Sequence, residues 1–327
     1  MRARGAPCRT WYWQYVLGLP VPTDRTDNGV MDNDGSLRQF LMSRRARLRP
    51  EDVGLPASPT PRRQPGLRRE EVAVLAGVSV DYYARLEQGR IGRVSDQVLT
   101  AIEQALRLDV LECRHLRALV ETRTGGPRRA ARSDAGSRDS ARAGLWELVR
   151  SLDPLPAMVQ SRRMDVLAAN ASAKVLLTDF DRMPRKDRNI VRWLFTDPRA
   201  RERYPDWDEV AANTVAALRG ARDPLFHDPE LERLVGELSV ASPEFAARWA
   251  DYRLFQHSHG TKRIFHQTVG VLDLRYETFP VPDTEGQTLT IYTAPKGSAA
   301  ADRLHLLLSW NAPAADATQI HRHSPSD

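Results

Sequence analysis

The sequence predicts an all-α helix-turn-helix domain followed by an α+β domain with an antiparallel sheet, and three observations carry that division. From Leu37 to about Val120, apolar residues recur at helical spacing and strand signals are absent. Between Arg123 and Arg142 large apolar residues almost vanish and Gly, Pro, Ser, Ala and Arg take over, the composition of a solvated linker. Beyond Gly144 the period alternates between two residues and a helical turn, and runs of strands with runs of helices in one unit make an α+β domain. The expected boundaries are an aperiodic, disordered extension at 1–34, a helical domain at 35–122, a linker at 123–143, the α+β domain at 144–310 and a disordered tail at 311–327. Met31, just ahead of the first periodic segment, is a candidate natural start.

Each element follows from its pattern. In the first domain Leu37, Phe40 and Leu41 begin one amphipathic face. Val72, Ala73, Leu75 and Ala76 give a second, and Val98, Ile102, Ala105 and Leu106 a third. In the second domain 157–161 and 164–169 read as a pair of short strands, and 171–177, 207–219, 229–239 and 243–249 as helices. Leu272, Leu274 and Tyr276 alternate with Asp273, Arg275 and Glu277, and Leu289, Ile291 and Thr293 repeat that period after a Pro-Asp-Thr-Glu-Gly turn. Gly260-Thr-Lys262 reads as a turn, and 299–308 as a closing helix.

Composition narrows the function. The chain of 327 residues has no apolar run near the ~20 residues a bilayer span needs. The aromatic-rich stretch Trp11–Leu19 is too short, and lacks the small-residue cleavage site, for a signal peptide. Cys8 and Cys113 are too few for a disulfide framework or a Cys-based zinc site, so a cytoplasmic protein is expected. Net charge is +6, but from Leu37 to Arg69 nine arginines face only Glu51 and Asp52, a local balance of +7. A basic balance permits nucleic-acid binding without proving it, and here the charge is concentrated in the helical domain.

The stretch from Leu67 to Gly89 has a mechanical reading. Val72, Ala73 and Ala76 face inward, Gly77 ends the first helix where positive φ is wanted, and Ser79 caps the next. Small Ala73 lets the helices approach. Val78, Tyr83 and Leu86 bury the inner face of the second helix, leaving Val80, Asp81, Tyr82 and Arg85 outward. A short helix presented this way enters a major groove with its N-terminal residues at base edges.

These residues resemble the helix-turn-helix of lambda-repressor-like, xenobiotic-response-element-type regulators. The strings Gly66-Leu-Arg-Arg-Glu-Glu-Val, Leu75-Ala-Gly-Val-Ser and Leu86-Glu-Gln-Gly-Arg90 are similar to the MmyB-like branch. Beyond the linker, Arg188-Asn189, Tyr204-Pro-Asp-Trp207, Ser242-Pro-Glu-Phe245, Gly260-Thr-Lys262, Val269-Gly270 and Tyr276-Glu-Thr278 resemble that branch's PAS-like ligand-binding domain, in the same order. Met164-Asp165, Ala169 and His266-Gln267 depart from the usual pattern, and Ile91–Val94 lacks its proline.

The resemblance implies a DNA-binding transcription regulator that acts on a double-stranded operator, with a small-molecule sensor and no cofactor. It places Arg68 and Arg69 at the start of the motif, Arg69 against a phosphate or a neighbouring recognition residue. It makes Glu87 structural. Ser79 either bonds a phosphate or caps. Asp81 reads a cytosine amino group or answers the helix dipole. Tyr82 and Arg85 are the strongest base-reading candidates. Arg90 and Arg93 suit a phosphate clamp, and Ser95 caps a helix whose start also receives phosphate. Arg62 and Arg63, in a Pro-rich insertion, form a candidate basic arm on the backbone or in a minor groove. A homodimer is expected, because one short helix reads few base pairs.

For the sensor, Trp193, Phe195, Tyr204, Trp207, Trp249, Phe255 and Tyr276 are candidate pocket residues for a small hydrophobic or lipid-like ligand, although aromatic side chains mostly pack cores. Two alternatives stand beside this reading. In one the second domain only dimerises or binds a protein partner. In the other His257, His259 and His266 hold a metal with Ser258 as nucleophile, a spacing unaccompanied by any Glu-containing helical motif. The small, polar linker predicts that the domains communicate through a flexible tether, by shifting the population of DNA-competent pairs.

Overall fold

The computed structural model describes residues 31–56, 66–121, 140–221, 228–284 and 286–311. The arm with Arg62 and Arg63, most of the linker and the tail from 312 lie outside these residues.

The first domain is helical. Its elements are α1 (Met31–Arg47), a 3-10 turn (Pro50–Val53), α2 (Arg69–Leu75), α3 (Val80–Glu87), α4 (Asp96–Ala105) and α5 (Val110–Glu121). Helix α1 starts inside the segment expected to be disordered. Leu37, Phe40 and Leu41 of α1 meet Val72, Ala73, Tyr83, Leu86, Ile102 and Leu116 in one core. Burying such side chains contributes roughly 1.5–3 kcal/mol each before entropy is counted.

The second domain opens with α6 (Ala143–Ser151), then β1 (Ala157–Gln160) and β2 (Val166–Ala169), followed by α7 (Ala171–Leu176). A helical layer follows, made of α8 (Ile190–Thr196), α9 (Pro198–Arg203), α10 (Trp207–Gly220), α11 (Pro229–Ala241) and α12 (Pro243–Ala250). The chain then returns as β3 (His259–His266), β4 (Gly270–Pro280), β5 (Thr288–Thr293) and α13 (Ala299–Trp310). The five strands form one antiparallel sheet in the order β2-β1-β5-β4-β3.

Both faces of the sheet are used. Met158, Ile264, Leu272, Leu274, Tyr276 and Tyr292 face Trp193, Tyr204 and Trp207 in the main core. On the other face Ala157, Val159 and Ala168, with Leu289 and Ile291 packed against them, meet Leu145 and Val149 of α6. The alternation read at Leu289 and Ile291 is therefore correct in period, but the main core takes Thr290 and Tyr292 of the opposite phase. Gly260-Thr-Lys262 is a correction. It is no turn but the beginning of β3, with Gly260 opposite Tyr276 and Lys262 opposite Leu274. The glycine permits close ring packing, since a Cβ there would sit 2.9 Å from the Tyr276 hydroxyl.

The domains are joined by more than the linker. Between α12 and β3, Tyr252 enters the core of the first domain, where it is 4% exposed, with Phe40 and His115 at ring-centroid distances of 5.9 and 6.1 Å. Its hydroxyl donates to Ser36 O at 3.3 Å, and its carbonyl accepts from Arg44 at 2.7 Å. Arg44 also pairs with Glu112, Arg47 donates to Asp251 O at 3.0 Å, and Arg114 donates to Gln256 at 3.2 Å. Burial lowers the Arg44 pKa to about 10, with Glu112 opposing. From the sensor side the Arg219 guanidinium of α10 lies 4.0 Å from the centroids of both Trp249 and Tyr252. Tyr252 holds a left-handed backbone, φ 53°, unusual for a bulky residue and of order 1–2 kcal/mol in cost. The domains therefore meet directly at Tyr252, a contact that the tether expectation did not include.

Candidate DNA interface and ligand cleft

Helices α2 and α3 form the expected pair. Gly77 has φ 64° at the corner, and the Ser79 hydroxyl accepts from Tyr82 N at 3.1 Å, satisfying a backbone donor that the first turn of α3 leaves free. Tyr83 and Leu86 are sealed in the core. Val80, Asp81 and Arg85 are exposed and Tyr82 half-buried, so α3 presents the outward row expected of it. Ser95 caps α4 through Val98 N at 3.3 Å. Arg68, Arg90 and Arg93 are exposed around this surface.

Arg69 is placed differently from its neighbours. Its guanidinium donates to Glu87 Oε1 at 2.8 and 3.0 Å, and the same fully buried carboxylate takes Arg45 at 3.3 and 3.4 Å. Arg45 also reaches Leu67 O at 2.7 Å. Glu87 thus ties α1, the entry to α2 and the end of α3 together, and its bond to Arg69 keeps that arginine more basic than usual. Its partner at the end of α3 is Glu87, the residue read as structural, rather than a residue of the outward row. Arg45 carried no role in the sequence reading. A bulk count of basic residues cannot separate such an inward arginine from outward ones.

Of the seven aromatics proposed as pocket residues, Trp193, Tyr204, Trp207 and Tyr276 are core. Trp193 meets Tyr204 edge-on at 5.9 Å, and Phe195 packs edge-on against Trp207 and Phe245 at 5.5 and 5.2 Å. Trp249 stacks on Phe245, and Phe255 touches His257 at 6.3 Å. Only Tyr276 of the seven borders the described cleft, a space of about 130 Å³ between α10 and the β3–β4 hairpin. Its walls are Asp206, Glu209, Val210, Asn213 and Thr214 on one side and His257, Thr261, Lys262, Arg263 and Tyr276 on the other.

The chemistry of the cleft centres on residues that sequence reading treated as a turn and a histidine pair. Lys262 donates to His257 Nε2 at 2.9 Å, His257 Nδ1 lies 3.2 Å from Thr278 Oγ1, and that hydroxyl lies 3.1 Å from Thr290 Oγ1. The His257 ring stacks on Tyr276 at 4.2 Å. Burial, with the Lys262 charge beside it, lowers the His257 pKa to about 3, and burial alone lowers Lys262 to about 8. The imidazole is therefore neutral at physiological pH, accepting from the lysine through Nε2 and donating through Nδ1. Among the described residues no group of three or more His, Cys, Asp or Glu could hold a metal. His257 has both ring nitrogens engaged within the protein. The missed signal was the phase of β3, which puts Lys262 on the same inner face as Ile264.

Comparison with known families agrees with this architecture. Residues 39–116 match a helix-turn-helix domain model, and residues 141–307 match the MmyB-like transcription regulator ligand binding domain. No curated protein matches the chain. No helix among the described residues is long and apolar enough to cross a membrane. With a DNA-binding domain and a ligand-binding domain in this order, and the second match covering half of its length, the chain belongs to the MmyB-like transcription regulators.

Proposed function

We propose that α3 is the recognition helix of a dimeric, cytoplasmic regulator, with Tyr82 and Arg85 at base edges, flanked by Val80 and Asp81. Ser79, Arg68, Arg90, Arg93 and Ser95 then meet the sugar-phosphate backbone. The observation that carries this reading is the division of α3 into a sealed inner face and an exposed outer row behind a capped N-terminus. A hydroxyl that accepts a capping bond still has its own proton to donate to phosphate. Arg69 serves indirectly, by fixing Glu87 and the end of the helix.

Arg85→Ala is expected to relax discrimination at one or two base pairs, at roughly 1–3 kcal/mol per lost base contact. Operator titrations against single-base variants check this, and a uniform loss across all sequences would place Arg85 on the backbone instead. For the arm, alanine at both Arg62 and Arg63 should lower the slope of log K against log salt by about 2 units. An unchanged slope makes the segment a connection only.

The sensor reading rests on the family match together with the cleft. Four of the seven proposed pocket aromatics are core residues, which gives little support to a hydrophobic or lipid-like ligand. The sensor controls DNA binding through the packed contact at Tyr252, in this reading, since α10 lines the cleft at one end and holds Arg219 against Tyr252 at the other.

A further inference from the structure

We propose that the cleft between α10 and the β3–β4 hairpin binds a compact carboxylic acid bearing a hydrogen-bond donor, with Lys262 receiving the carboxylate and Glu209 and Asn213 the donor end. This rests on the sensor reading and deepens it by naming the chemical class.

Lys262 is the reason. It stands on the inner face of β3 between Gly260 and Ile264, a position the strand otherwise gives to core packing. Among the described residues no carboxylate comes within 4.0 Å of its ammonium, whose hydrogen-bond partner is the uncharged His257. The Tyr276 ring, 4.8 Å from Nζ, supplies only part of the missing compensation. A half-buried cation without an anion is costly, and an anion arriving in the cleft reduces that cost. The other cation of the cleft, Arg263, is already paired with Asp206 at 3.1 Å and Asp273 at 3.7 Å.

The opposite wall selects the rest of the ligand. Glu209 is an acceptor when ionised, and Asn213 and Thr214 both donate and accept, so a hydroxyl or ammonium on the acid finds a partner there. The space is worth about four water molecules, well under the ~300 Å³ at which drug-sized pockets begin. A long acyl chain does not fit it. Hydroxy acids and amino acids share the required chemistry, and the test separates them.

The test is calorimetric titration of the full-length protein at pH 7 and fixed ionic strength with lactate, alanine, propionate and decanoate, repeated on Lys262→Met. Lactate or alanine is expected to bind saturably, with propionate at least tenfold weaker because it lacks the donor. Lys262→Met is expected to weaken binding about 10–100-fold, the loss of one charge-assisted hydrogen bond, without lowering the unfolding midpoint. Lactate affinity should also fall as pH rises through about 8, where the free ammonium loses its proton. The other groups facing it are His257, Arg263, Tyr276, Asp206 and Glu209. The His257 pKa lies far below this window and that of Tyr276 is raised above its ordinary value. Equal binding to both proteins, or no binding by any of the acids, overturns the site. Tight decanoate binding that is indifferent to Lys262→Met overturns the site while leaving the sensor reading intact. An operator affinity that responds to no acid, despite saturable binding lost in Lys262→Met, keeps the site and removes the sensor reading.

Discussion

Tyr252→Ala is expected to split the thermal unfolding of the full-length protein into two transitions, one for each domain. Tyr252 belongs to the second domain by sequence and to the core of the first by burial, with Phe40, His115 and Arg44 around it. Emptying a buried aromatic site typically costs about 3–5 kcal/mol. Part of that loss falls on the first domain, whose core keeps a cavity. The rest falls on the coupling, because Arg219 loses the ring it covers. Scanning calorimetry reads both components, and operator titration with and without a bound acid reads the coupling. A single cooperative transition with an undiminished ligand response would show that Tyr252 is dispensable and that communication runs elsewhere.

The second large effect is expected at Glu87. Glu87→Ala leaves Arg45, 13% exposed, without its carboxylate in the interior and releases Arg69. Removing one partner of a buried ion pair typically costs about 3–5 kcal/mol. The first domain should therefore unfold at a markedly lower temperature, by circular dichroism, and bind every operator more weakly without altered preference. Arg69→Ala should follow the same direction at a smaller size, about 1–3 kcal/mol, since Arg45 still compensates Glu87. Changed base preference in either variant would mean that these residues shape the reading surface itself.

The order of elements was legible wherever periodicity and punctuation coincided. The corner of α2 and α3 illustrates this: Gly77, Ser79 and the inward Tyr83 and Leu86 announce it, and the geometry follows. Helices α8 and α9 were not anticipated. They are only 7 and 6 residues long, too short to repeat a helical period, and depend on caps at Asn189 and Asp197 that resemble loop residues in sequence. Strand β3 was misread because Gly260 signals a turn locally, whereas here it makes room for Tyr276 across the sheet. The same distinction governs the sites. Exposed Arg85 and half-buried Arg45 look alike in a charge count, and only the long-range partner Glu87 tells them apart. Lys262 stands in a Gly-Thr-Lys string in sequence, yet its significance lies in a neighbour, His257, that disfavours a second charge.

The position of Tyr252 also bears on how such a protein can change over generations. A domain joined only through a linker is free to be exchanged for another reader of DNA. Here Phe40, His115 and Arg44 must accommodate a residue encoded more than a hundred positions downstream. Substitutions on either side of that seam are constrained to occur in concert. A chimaera carrying a foreign DNA-binding half, expressed with this sensor, should then read its own operator and ignore the signal, unless the aromatic socket is transplanted with it.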